Sequence, residues 1–136
     1  MKRLFVVFAV VLPLSLAACA NTTQGKLRQA VYDLDSAYHL IANPMPDVLA
    51  GKVPGVTVSA EHKLLIQSAS QTVFNEISAL EKSVEAGDSV TETAVAAAQA
   101  DLASFTACWS GLKSGTVPDA CKEISASTTS TTTASN

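Results

Sequence analysis

Residues 59–87, SAEHKLLIQSASQTVFNEISALEKSVEAG, place Ile66, Ala69, Val73, Ile77, Leu80 and Val84 at steps of three, four, four, three and four. That spacing returns to one side of an α-helix every two turns and predicts a narrow apolar seam of heptad type. Ser59 is placed to cap the start and Gly87 to stop the end. A helix of about 25 residues is roughly 38 Å long. Its single apolar stripe has to be covered by other elements of the chain.

Two further seams answer to it. Upstream, Leu27, Val31, Leu34, Tyr38 and Ile41 recur at four, three, four and three, predicting a helix of about 15 residues. Asn43-Pro44 should end it, because a residue before proline is pushed out of the helical region. Downstream, Ser89-Val90-Thr91-Glu92 fits a capping box, with Val95, Ala98, Leu102, Phe105, Trp109 and Leu112 as the seam behind it. The alanines of residues 94–100 favour helix and admit a close neighbour. The fold class is therefore all-α, a small antiparallel three-helix bundle.

The first helix is shorter than the other two, so something must cover the exposed ends of the longer pair. One candidate is a short C-terminal helical stub, Pro118 to Ile124. The other is the connection from Asn43 to Val58, which exceeds the 2 to 8 residues usual in bundles. That connection is apolar for a loop, carrying Pro44, Met45, Pro46, Val48, Leu49, Val53 and Val56. It reads either as a plug for one end of the bundle or as an interaction loop that a partner engages, and it is the first surface candidate for binding.

Outside the bundle the chain changes character. Residues 125–136 are almost entirely Ser, Thr and Ala; without an apolar face they are expected to be disordered, a glycosylated stalk being the alternative. At the other end Lys2 and Arg3 precede an apolar stretch, Leu4 to Leu16, of signal-peptide length and short of the roughly 20 residues of a membrane span. It closes on Leu16-Ala17-Ala18-Cys19, an aliphatic residue, two small ones and a cysteine. The small pair alone suits an ordinary secretory cleavage; with the cysteine directly after it, the stretch resembles the lipobox of bacterial lipoproteins.

That resemblance covers residues 1–20 and carries several implications. Cleavage falls before Cys19, the thiol takes a diacylglycerol and the freed amine is acylated by a palmitate-type chain. Several chains anchor stably where one binds only marginally. Ala20 stands where an aspartate would retain an enterobacterial lipoprotein at the inner membrane, so the expected location is the outer membrane, facing the periplasm. The implied organisation is a signal peptide over 1–18, a short tether over 19–25, the bundle over 26–124 and the tail over 125–136. The short tether keeps the bundle close to the lipid surface.

The lipobox also accounts for an odd cysteine count. With Cys19 consumed by lipid, Cys108 and Cys121 remain in an oxidising compartment, where a structural disulfide is expected. Closing that loop should contribute about 3 kcal/mol on the chain-entropy estimate. A redox pair would want two intervening residues, and zinc would want further ligands nearby.

After removal of residues 1–18 the chain keeps twelve acids against seven bases, a net charge of −5. An acidic domain lacks the basic stripe that nucleic acid requires, and it should not adhere electrostatically to anionic lipid. Its membrane contact is expected through the N-terminal lipid alone.

Catalytic patterns are missing from the sequence. Asp35 and His39 stand four apart and read as a surface ion pair. Glu61-His62 reads as a solvated first turn, Glu81 and Glu85 as a solvated face, and Trp109 as a core aromatic. There is no Gly-x-Ser-x-Gly elbow, serine–lysine signature or phosphate-cradling glycine loop. No catalytic residue, cofactor or metal is assigned. The leading expectation is a non-enzymatic envelope protein that docks onto another envelope component. A periplasmic small-ligand or lipid-binding domain, lidded by the long loop, is the second. A prophage-type accessory lipoprotein is the third, on a resemblance of size, lipobox and alanine-rich helices alone; the proline-rich character of outer-membrane spanin lipoproteins is missing.

Overall fold

The computed structural model describes residues 22–116, 119–122 and 124. Four helices follow one another: α1 (Thr23–Ala42), α2 (Met45–Leu49), α3 (Ala60–Glu85) and α4 (Glu92–Lys113). The three long ones form an antiparallel bundle, and no strand occurs among the described residues. The expected signal peptide over 1–18 and tail over 125–136 lie outside the described residues, as does Cys19.

The three seams meet in one core. Val31, Leu34 and Tyr38 of α1, Ile66, Ala69, Val73, Ile77 and Val84 of α3, and all six predicted residues of α4 are buried. Leu27, Ile41 and Leu80 lie half-buried at the margin. Phe105 is fully enclosed, its ring 5.9 Å from that of Tyr38, which also lies 5.7 Å from Phe74. Truncating an aromatic so placed costs about 3–5 kcal/mol.

Helix boundaries follow local chemistry. Ser59 caps α3, its side chain accepting from His62 N at 3.2 Å. At the other end Gly87, at φ +81°, donates to Val84 O at 3.1 Å while Asp88 N reaches Ser83 O at 2.9 Å. These are the two bonds of a Schellman motif, which needs a left-handed residue at Gly87. Gly51 and Gly115 end α2 and α4 in the same way.

Two expected boundaries, and the reason for one that stands, are corrected. Helix α1 begins at Thr23, where Thr22 accepts from Gly25 N at 3.0 Å; Thr23 to Gly25, expected to be tether, therefore belong to the helix. Asn43 ends α1 while keeping helical dihedrals, φ −53° and ψ −43°. The stop comes from Pro44, which has no N–H to continue the ladder, and not from a displaced Asn43. Third, no capping box forms at Ser89. The cap of α4 is Thr91, whose side chain accepts from Ala94 N at 3.1 Å. Val90 lies outside the helix, its O accepting from the Gln24 side chain at 2.9 Å.

The long connection is not wholly loop either. It contains the one-turn helix α2, with Pro46 in its first turn. Its Val48 and, further on, Val58 are buried in the main core. The stub is present as a helical turn at Ala120–Lys122, with Cys121 and Ile124 fully buried.

Candidate functional site

The seven residues singled out between α1 and α3 divide into two groups. Val48 is 5% exposed, and Met45, Leu49, Val53 and Val56 are half-buried against the core. Pro44 and Pro46 are exposed. Apolar side chains thus turn inward and backbone turns outward, which is how a plug is built. The turn is tightened by Lys52, whose Nζ lies 3.1 Å from Asp47 Oδ1 and whose N donates to Asp47 O at 2.9 Å.

Because the helices alternate in direction, this plug lies at the end where α4 finishes. There the predicted disulfide joins Cys108 to Cys121, with Cα atoms 4.9 Å apart. Both cysteines are fully buried, and Trp109 and Leu112 are buried beside Cys108 in α4. The Lys113 ammonium sits 5.3 Å from the Trp109 ring centroid. The two coverings required by the unequal helices therefore share one end of the bundle.

The opposite end is held by polar contacts that the apolar periodicities do not register. The Gln24 side chain donates Nε2 to Val90 O at 2.9 Å and accepts from Val90 N at 3.1 Å. One turn further along, Arg28 donates Nη2 to Gly87 O at 3.2 Å and to Asp88 O at 3.4 Å, leaving its buried Nε without a partner among the described residues. Together they bind the start of α1 to the α3–α4 turn and satisfy the Gly87, Asp88 and Val90 carbonyls of that turn. Nothing in hydrophobic spacing marks Gln24; the clue lay in a polar residue one helical turn ahead of the first seam position.

Titratable groups are few. Asp35 Oδ1 and His39 Nε2 pair at 3.3 Å on α1, with His39 half-exposed as expected of a surface pair. Glu61 is exposed and His62 contributes its backbone N–H to the α3 cap. Glu81 does not behave as a simple solvated acid: partial burial, then the charges of Asp35 and Glu85, raise its carboxyl above the ordinary range, with His39 opposing. Glu76 was not singled out at all. Burial, a side-chain hydrogen bond with Asp101 and the Asp101 charge push it up to about 7. The Glu76 and Asp101 carboxyls thus face one another across the interface between α3 and α4.

Among the described residues no cluster of three or more His, Cys, Asp or Glu side chains is placed to hold a metal ion. No described helix is long and apolar enough to cross a membrane. Compared with protein-family models, curated proteins and solved structures, the chain finds no match.

Proposed function

We propose that this protein is a small lipid-anchored component of a bacterial cell envelope, acylated at Cys19 and facing the periplasm from the outer membrane. Its helical bundle acts without catalysis, as a structural or accessory module that docks onto another envelope protein. The observation that carries the reading is Leu16-Ala17-Ala18-Cys19 closing a signal-like apolar stretch only a few residues before a folded domain begins. The pairing of both remaining cysteines supports it, since disulfides persist in exported proteins. So does the burial of Val48 and its neighbours, which spends the apolar loop on the core rather than on a ligand lid.

The test is the intact mass of the protein purified from membranes, before and after reduction and alkylation. Residues 19–136 plus acyl chains, with two thiols labelled only after reduction, is the expected result. Cys19→Ser should move the protein from the membrane fraction to the soluble one. An unacylated chain ending its processing elsewhere would overturn the anchor, and crosslinking in intact cells that returns no reproducible envelope protein would overturn the docking role.

A further inference from the structure

The anchor and the polar clamp bear on one another through the geometry of α1. Helix α1 starts at Thr23 behind the Thr22 cap, so three chain steps separate Cys19 from the first ordered turn. Three residues reach at most about 11 Å. Gln24 and Arg28 tie that same turn to Gly87, Asp88 and Val90. Over the 20 residues of α1 the chain then travels about 30 Å before reaching Pro44 and the plug.

Resting on acylation of Cys19, we infer that the bundle stands end-on to the lipid surface, with the α1 start and the α3–α4 turn facing the headgroups. The Met45–Val58 segment and the disulfide stand at the far end, about 30 Å further out. That far end, and not the clamp end, then faces away from the lipid surface.

Electrostatics oppose the alternative in which the bundle lies flat. The chain from Cys19 onward carries twelve acids against seven bases, and anionic headgroups attract polybasic surfaces only. At the clamp end Glu85, Asp88 and Glu92 are matched by Lys26, Arg28 and Lys82, so this end offers no basic patch to the headgroups and the lipid alone holds it near the surface.

The experiment uses the acylated full domain purified from membranes and carrying one exposed label site, Asp88→Cys or Lys52→Cys. The native cysteines are buried in their disulfide, so a thiol-reactive fluorophore enters only at the new site. Each protein is reconstituted into phosphatidylethanolamine–phosphatidylglycerol vesicles bearing a headgroup-linked quencher, and flotation with the vesicles is scored separately. The expected result is co-flotation of both, with the label at position 88 quenched several-fold more than the label at position 52. Equal quenching, or the reverse order, in co-floating protein would overturn the end-on orientation and leave the anchor standing. Failure to float would overturn the anchor, and the orientation with it.

Discussion

Gln24 and Val90, 66 residues apart, exchange two hydrogen bonds: the glutamine amide donates to the valine carbonyl at 2.9 Å and accepts from its N–H at 3.1 Å. A side-chain amide here takes the place of a strand neighbour, satisfying both backbone groups of a residue whose side chain is buried. The pair fixes where α4 begins and closes one end of the bundle.

Removing the amide should therefore cost more than a surface substitution. Gln24→Ala leaves the Val90 N–H and C=O without partners in a half-buried setting, a loss of about 1–3 kcal/mol. Urea unfolding followed by circular dichroism measures it. Gln29→Ala, on the exposed side of the same helix, should change stability by less than about 0.5 kcal/mol.

A second polar pair lies inside the core. Tyr38 Oη and Ser70 Oγ are 2.8 Å apart, and Ser70 is a buried polar residue of the interior. Tyr38→Phe or Ser70→Ala alone strands the other hydroxyl and should destabilise by about 1–2 kcal/mol, while the double variant should recover much of that loss. Additive losses in a double-mutant cycle would show that the two hydroxyls are not coupled.

The plug gives a contrast within one segment of sequence. Val48 is buried, so Val48→Ala should lower the unfolding midpoint through lost burial and a small cavity, at a cost of about 1–2 kcal/mol. Leu40→Ala removes a larger side chain that is 78% exposed, and should leave the midpoint nearly unchanged. Equal effects would mean that the segment does not pack on the core in solution.

Stability should also depend on pH through the Glu76–Asp101 contact. The Glu76 carboxyl titrates near 7 in the folded chain and near 4.5 when free. Its folded state therefore holds a proton that the unfolded state releases. The stabilising contribution is complete below about pH 4.5 and is lost as pH rises through about 7. Discounted for solvent screening, the effect is about 1 kcal/mol. Glu76→Gln should flatten this slope and raise the midpoint at pH 8 relative to the parent chain. Thermal melts from pH 4 to pH 8 provide the comparison.

Repetition and punctuation made much of this architecture readable in advance. Apolar residues at three- and four-residue steps can bury only by turning one side of each helix inward, so the core of Val31, Ile66, Val73, Ala98 and Phe105 followed from spacing. Ser59 and Gly87 marked the ends of α3 because their chemistry acts within a single turn. The Cys108–Cys121 pairing followed from a count once Cys19 was set aside.

Contacts between distant residues obey no such period. Gln24 looks like an ordinary polar residue and Ser89 like a cap until the fold brings Val90 beside α1, where the cap is Thr91. Glu76 acquires its raised titration from burial and from Asp101 on another helix, and Met45–Leu49 becomes a helix because Val48 has a core to enter. Local chemistry sets which helices form and which stripe of each is apolar. Which polar groups must then find partners depends on where packing removes them from water.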